Sequence, residues 1–302
     1  MRAFVTGGKG FVGTWLASHL ERQGDEVVVV DREVDVCDGA SVTRVLTGAA
    51  PDAVYHLAAL THVGRSWVDP EEVIRVNVLG TLHVLEAARR CRPAPRVLLV
   101  SSAEVYGVLD AGALPADERT ALAPVTPYAA SKVAAEFLGV QARLGSELPV
   151  IRVRPFNHVG PGQGAGFVVP ALAKRIVEAR RQGRDTLPVG NLSARRDLTD
   201  VRDVVRGYRL LVERGEPGEV YNVCSGRAWS IAEVADRLLA MAGAQLKLVE
   251  DPELVRPVDV PLLVGDPGKI RAAVGWVPEI EIDRTLADVL DEWQRRVPDT
   301  TA

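Results

Sequence analysis

The sequence predicts an α/β protein: a doubly wound parallel sheet with a smaller, discontinuous lobe. Short Val- and Leu-rich runs recur along the chain, each bounded by turn residues and mostly followed by apolar residues at three- and four-residue spacing. That is the pattern of parallel strands buried under crossover helices. The runs at 2–6, 26–31, 53–57, 96–101, 150–154 and 220–223 read as strands. Helices are expected at 11–23, 71–90 and 128–144, and the apolar faces of the last two suit either burial against the sheet or a homodimer face. After Pro155 the texture changes to Asn, His, Gly, Pro and Gln, with three glycines between 161 and 166, which marks a boundary. Because 220–223 still reads as sheet, the expected partition is a sheet unit of 1–156 with 197–226 and a lobe of 157–196 with 227–302.

The composition, 47% hydrophobic and 25% charged over 302 residues, excludes fibrous and disordered chains. Lys and Arg number 36 against 40 Asp and Glu, so no positive field favours nucleic acid or anionic lipid, and small molecules are the default ligands. No apolar run approaches the ~20 residues that span a bilayer. The chain passes from Met1 directly into a strand and a glycine loop, leaving no room for a secretory leader, so the cytoplasm is the expected location. Cys37, Cys91 and Cys224 lack metal-site spacing and read as small buried hydrophobes; no metal is expected. The arginines between 179 and 184 read as a solvated helix end rather than a phosphate patch.

Thr6-Gly7-Gly8-Lys9-Gly10-Phe11-Val12-Gly13 leaves the first strand and opens the first helix. Gly7 suits a tight turn, Gly10 a close approach to pyrophosphate, and Gly13 close packing of helix on strand. Phosphates would then sit on the helix N-terminus beside Phe11 and Val12, as in a Rossmann dinucleotide site. A structural turn is the alternative reading of the glycines alone. Asp31 closes the second strand, close to where an acidic residue takes the ribose hydroxyls of NAD and repels the extra phosphate of NADP. NAD(H) is favoured; NADP(H) stays open because Arg32 can grip a phosphate. Asp35 and Val36 fall near the adenine on this reading.

Tyr128-Ala129-Ala130-Ser131-Lys132 puts a phenol and an ammonium on one helical face. A tyrosine of pKa ~10 is a poor proton shuttle at neutral pH, but a nearby lysine cation and an oxidised nicotinamide stabilise its phenolate. Ser101-Ser102-Ala103-Glu104-Val105-Tyr106-Gly107 lies at the carboxyl end of a strand, where open parallel sheets place ligands. From there Ser102 can bridge the tyrosine and a substrate oxygen.

With these motifs in order, the chain resembles the extended short-chain dehydrogenase/reductases that act on nucleotide sugars. The resemblance covers nearly its whole length, through TGGxGFVG, His56-Leu57-Ala58-Ala59, SSAEVYG, YxxSK, Arg154-Pro155-Phe156-Asn157 and Arg195-Arg196-Asp197. Asn157-His158-Val159-Gly160-Pro161-Gly162-Gln163, Asp200-Val201-Arg202-Asp203 and Arg256-Pro257-Val258-Asp259 narrow it to the GDP-mannose 4,6-dehydratases and GDP-6-deoxy-4-keto-mannose reductases. Residue 103 places it with the reductases. Dehydratases carry an acid or hydroxyl there to assist loss of water from the sugar, whereas the Ala103 methyl has no proton to give, although Glu104 remains and a bound water can substitute. The short interval between Asp31 and Ala53 also resembles the smaller sugar reductases.

The resemblance implies that Tyr128 is the general acid/base, that Lys132 binds the nicotinamide ribose and tunes Tyr128, and that Ser102 hydrogen-bonds the C4 oxygen. It implies further that Leu57, Ala58, Ala59 and Pro155 line the cofactor, that Asn157 contacts the sugar nucleotide, and that Arg196 and Arg256 grip its diphosphate. Arginine suits that task because its fixed fork can hold two phosphate oxygens. Glu104 reads equally as a sugar ligand, a spectator or a proton-transfer group; His56 and His158 read as structural. The expected reaction is reduction of the C4 ketone of a GDP-4-keto-6-deoxyhexose, giving GDP-rhamnose. The alternatives are a nucleotide-sugar 4-epimerase or 4,6-dehydratase that keeps its cofactor bound, and a non-catalytic dinucleotide sensor, against which Ser102, Tyr128 and Lys132 together argue. Zinc chemistry and a Ser-His-Asp hydrolase find no supporting spacing.

Overall fold

In chain order the first half of the protein runs β1 (Arg2–Thr6), α1 (Phe11–Arg22), β2 (Glu26–Val30), α2 (Gly39–Ala49), β3 (Ala53–His56), α3 (Val63–Ser66), α4 (Pro70–Ile74), α5 (Gly80–Arg90), β4 (Arg96–Val100), α6 (Pro127–Ser146) and β5 (Val150–Pro155). The second half runs β6 (Asn157–Val159), α7 (Val168–Arg181), β7 (Thr186–Val189), β8 (Arg195–Asp200), α8 (Val201–Arg214), β9 (Val220–Val223), β10 (Ala228–Ser230), α9 (Ile231–Ala242), β11 (Lys247–Glu250), β12 (Leu262–Leu263), α10 (Gly268–Val274) and α11 (Ile282–Arg296). These elements come from a computed structural model that describes residues 1–254 and 260–298; Arg256 lies outside the described residues.

The six expected strands form one parallel sheet in the order β2-β1-β3-β4-β5-β9. Side chains alternate across it: Ala3, Val5 and Tyr55 pack with α1, α8 and α10, whereas Phe4 and Val54 pack with α2, α5 and α6. The sheet is doubly wound, of the Rossmann kind. Its order reverses between β1 and β3, where such sheets open a ligand crevice. Thr6 is level with Val30 on one side and His56 on the other, so the loops after β1, β2 and β3 leave the sheet together.

Helix α6 starts where its sequence says it should. The Thr126 hydroxyl accepts from Ala129 N at 3.0 Å, and Pro127 fills a first-turn position that needs no N–H. The helix expected over 71–90 is interrupted instead: α4 ends at Ile74, and Arg75–Leu79 form a π-helical turn before α5. Such a turn re-aims a side chain, here Asn77.

A separate core of α7, α9 and α11 with β7 and β8 contains Leu172, Ile176, Leu187, Leu198, Leu238 and Val289. Strand β8 is its axis, pairing with β6, β10 and β12. Within the stretch expected for the lobe, α10 packs back on the sheet core through Ile270 and Val274. No helix among the described residues is long and apolar enough to cross a membrane.

The cysteine expectation changes in part, and the arginines at the end of α7 gain partners. Cys91 and Cys224 are buried, but Cys37, in the turn between β2 and α2, is half-buried, with Sγ donating to Arg75 O at 3.5 Å. Arg180 and Arg181 do not simply trail into solvent: they donate to Ala242 O at 2.8 Å and Gln294 O at 2.7 Å. These carbonyls lie at the ends of α9 and α11, where helices leave acceptors unmatched.

Asp197 on β8 fastens the two cores together. Fully buried, it accepts from Ser225 N at 2.8 Å, Ser225 Oγ at 2.6 Å, Gly226 N at 2.9 Å and Gly265 N at 3.3 Å. Asp197→Ala strands these donors and is expected to cost about 3 kcal/mol. A lower urea midpoint at unchanged slope measures it.

Candidate active site

The crevice at the switch point is built by backbone crowding. Gly7 has φ +66°, and a Cβ there would lie 2.8 Å from Ala58 N; a Cβ on Gly13 would lie 2.3 Å from Gly7 O. The loop after β1 therefore rests directly on the backbone of Leu57 and Ala58, with Ala59 next in the chain. Gly10 caps α1 without a side-chain hydrogen bond, so the first-turn N–H groups of Phe11, Val12 and Gly13 point outward unmatched. This cradle fits a pyrophosphate. Phe11 also stacks on His158 at 6.1 Å, and Trp15 Nε1 donates to Pro161 O at 2.8 Å, which brings the glycine loop against the segment after β6.

Asp31 stands at the end of β2, but its carboxylate is engaged locally, accepting from Lys9 N at 3.0 Å and Arg32 N at 2.9 Å. Lys9 pairs with Glu33 at 3.0 Å, and Arg32 is exposed. Val36 is buried, with its carbonyl 2.9 Å from His83 Nδ1, while Asp35 is exposed and accepts from Cys37 N at 2.9 Å.

His56 is part of the frame. Thr81 Oγ1 donates to Asn77 O at 2.6 Å, so at 3.0 Å it accepts from His56 Nε2. His56 Nδ1 then accepts from Thr6 Oγ1 at 2.8 Å, and Thr6 Oγ1 accepts from Ala58 N at 3.2 Å. Burial, then the nearby Lys132 cation, lowers the imidazole to about 3. It stays neutral.

Tyr128, Lys132 and Ser102 meet above β4. Ser102 caps the 3₁₀ turn Ala103–Tyr106, its Oγ accepting from Glu104 N at 3.2 Å, and it lies close enough to the Tyr128 phenol to oppose the rise of its pKa. Lys132 Nζ donates to Val100 O at 2.9 Å, the last carbonyl of β4. Burial pushes the phenol up to about 12, with Ser102 opposing and the Glu104 charge adding to the rise. The same burial lowers the Lys132 ammonium to about 8. Both groups are thus biased toward neutrality, and nearby opposite charge or hydrogen-bonding partners would restore their charged forms. Ala103 is buried beside them, 2% exposed.

On the lobe side, Asn157 is exposed at the start of β6, and Arg196 on β8 lies opposite Trp229 and Leu263, its Nη1 donating to Val260 O. Pro155 ends β5 beside Val223.

The structure adds residues that sequence reading missed. Asn77 is 1% exposed; its Oδ1 accepts from Leu60 N at 2.7 Å, and its Nδ2 donates to Leu60 O at 3.0 Å and Ser131 Oγ at 2.9 Å. Ser131 Oγ donates in turn to Tyr128 O at 2.7 Å. Nothing local signals the π turn that aims Asn77. Glu136 did carry a signal, since it extends the four-residue period of Tyr128 and Lys132.

Because Lys132 changes from about 10.5 to about 8 on folding, the unfolded chain binds more protons between those values. Stability from this residue therefore rises with pH across that window and is lost as pH falls through it. The advantage of wild type over Lys132→Met should grow by about 2 kcal/mol from pH 8 to pH 10, read from urea midpoints at each pH.

Known proteins resemble this chain over nearly its whole length. A sequence profile of the GDP-mannose 4,6 dehydratase family matches residues 31–289. GDP-6-deoxy-D-mannose reductase of Pseudomonas aeruginosa is 37% identical, covering 98% of each chain. The solved structure of RMD from P. aeruginosa complexed with NADPH superposes with a TM-score of 0.90, at 37% identity over 98% of this chain and 99% of that one. Thermus thermophilus UDP-glucose 4-epimerase in complex with NAD superposes with a TM-score of 0.87, at 29% identity over 98% of this chain and all (100%) of that one. Covered from end to end by these relatives, the chain belongs to the GDP-mannose 4,6 dehydratase family.

Proposed function

We propose that the protein reduces the C4 ketone of a GDP-4-keto-6-deoxyhexose to the alcohol, forming GDP-6-deoxy-mannose (GDP-rhamnose). It is an NAD(P)-dependent nucleotide-sugar oxidoreductase. The observation that carries the reading is the buried methyl of Ala103, next to Ser102, where sugar dehydration would need an acid. The bound nicotinamide supplies the hydride. Tyr128 supplies the proton to the C4 oxygen, Ser102 donates to that oxygen as its charge grows, and Lys132 holds the ribose and stabilises the phenolate left behind. The phenol is protonated at neutral pH, and the Lys132 cation and an oxidised nicotinamide would bring it down from about 12 toward the range of a working acid. Asn157 and Arg196 meet the sugar nucleotide from the lobe; Arg256 is assigned by resemblance. On this reading the sheet core holds the dinucleotide and the α7–α9–α11 core holds the nucleotide sugar. Reduced cysteines and a reduced coenzyme fit the cytoplasm.

Cofactor choice turns on two neighbours. Asp31 spends its carboxylate on the glycine loop, while Arg32 stands exposed, and the P. aeruginosa relative was solved with NADPH. We expect both cofactors to serve, and Arg32→Ala to raise KM for NADPH several-fold while sparing NADH.

Ile74 and Leu79 before α5 and Phe137 and Leu144 on α6 are exposed apolar residues on elements that pack together, and such a surface suits a homodimer. Light scattering of the purified protein tests it: a monomer at micromolar concentration defeats this assignment.

Loss of nicotinamide absorbance on mixing the protein with the keto sugar nucleotide and NADPH or NADH is the expected result. Tyr128→Phe should lower kcat at least roughly a hundred-fold with cofactor affinity kept. Tightly held cofactor that is never consumed would favour the epimerase or dehydratase reading instead.

A further inference from the structure

Tyr128, Lys132 and Glu136 follow one another at four-residue steps on one face of α6. The first two belong to the proposed reaction. Glu136, 1% exposed, faces β5: Arg154 Nη2 donates to Glu136 Oε1 at 2.6 Å and Nε to Oε2 at 3.1 Å, with Arg152 Nη1 3.4 Å from Oε1. Arg154 is itself 4% exposed. Its remaining fork reaches the other side of the site, Nη1 donating to Tyr106 Oη at 3.0 Å and Glu118 O at 3.2 Å. Tyr106 ends the short turn that Ser102 caps, and its hydroxyl donates to Asn222 Oδ1 on β9 at 2.7 Å. One guanidinium therefore joins the helix that carries Tyr128 and Lys132 to the turn that carries Ser102.

Stability alone is a poor reason for this device. Burying an ion pair costs desolvation that its attraction barely recovers, and apolar replacements are often as stable. A bidentate fork does supply fixed direction, which packing side chains lack. Holding Ser102 against Tyr128 needs that direction, because the two lie on different elements.

We infer that Glu136, Arg154 and Tyr106 are positioning residues that set the Tyr128 phenol and the Lys132 ammonium against Ser102. The turnover part of the test rests on the reductase reading above; the titration part does not. The groups that shift the Tyr128 phenol are Ser102 and Glu104, with burial; Glu136 is not among them. Removing its charge also leaves Arg154 uncompensated, so the uncharged Tyr106→Phe variant separates position from charge.

Two variants test this, Glu136→Gln and the milder Tyr106→Phe, which deletes one oxygen and no charge. Each is compared with wild type for thermal midpoint, NADP⁺ affinity, kcat and KM. The phenolate absorbance of Tyr128 is titrated in the presence of NADP⁺, each protein being corrected with its own Tyr128→Phe derivative. Expected for both variants are retained NADP⁺ binding and KM, a roughly ten- to hundred-fold fall in kcat, and a phenol midpoint raised by about one pH unit as the Ser102 contact weakens. Folded variants with wild-type kcat and an unchanged phenol midpoint, whatever their thermal midpoint, overturn the inference. A wild type that never reduces the keto sugar, with the variants' phenol midpoint still displaced, upholds the inference and overturns the substrate reading.

Discussion

The Lys132 ammonium is confined where the protein offers it the Val100 carbonyl, and the rest of the site is arranged around that confinement. Low polarity opposes charge on both members of the pair, pulling the lysine down to about 8 and the tyrosine up to about 12. On the proposed reading, ribose hydroxyls would satisfy the ammonium and an oxidised nicotinamide would lower the phenol. Binding would then recover part of what folding gave up, linking cofactor affinity to readiness for proton transfer.

Such a pair keeps its geometry only if its surroundings cannot relax. Apolar packing is non-directional, and the protein surrounds the pair with directed polar contacts instead. His56 is kept neutral between two threonines, the Asn77 amide joins the Leu60 loop to Ser131, and Glu136 with Arg154 clamps α6 to β5. Each is buried and partnered, the condition under which polar networks specify structure. They gather at the carboxyl ends of β3, β4 and β5 because there the chains leave the sheet and their backbone no longer holds them in register.

The sheet was legible because its strands are continuous apolar runs separated by helical periods, a signal each strand carries alone. Gly7, Gly13, Tyr128, Lys132 and Ser102 were legible for the same reason, since fixed spacing lies within one loop or one helical turn. The lobe strands were not. β6, β10 and β12 are two or three residues long and exist because β8 lies between them, a pairing no local window contains. Asn77 sits in the apolar run Arg75-Val76-Asn77-Val78-Leu79, where the pattern predicts an unbroken helix and only the buried partners of its amide explain the wide turn. Cys37 was misplaced because its small side chain says nothing about the exposed turn that carries it. Arg180 and Arg181 do end a helix at the surface, but the carbonyls they hold belong to helices much later in the chain.

Fold and frame alone leave the chemistry of such a site open. A phenol, an ammonium and a serine hydroxyl around one carbonyl serve any reaction that moves a hydride and a proton at C4, whether the alcohol is formed, inverted or oxidised on the way to dehydration. The discrimination lies in what else can reach the neighbouring carbons. At that position this chain has the Ala103 methyl, packed against Val105, Tyr106 and Phe156 in a small core of its own. A methyl so enclosed neither donates a proton nor gives way to a group that could, while Glu104 one residue on acts on Tyr128 through its charge. Reduction needs no further acid; dehydration does, and on that asymmetry the proposed reaction rests.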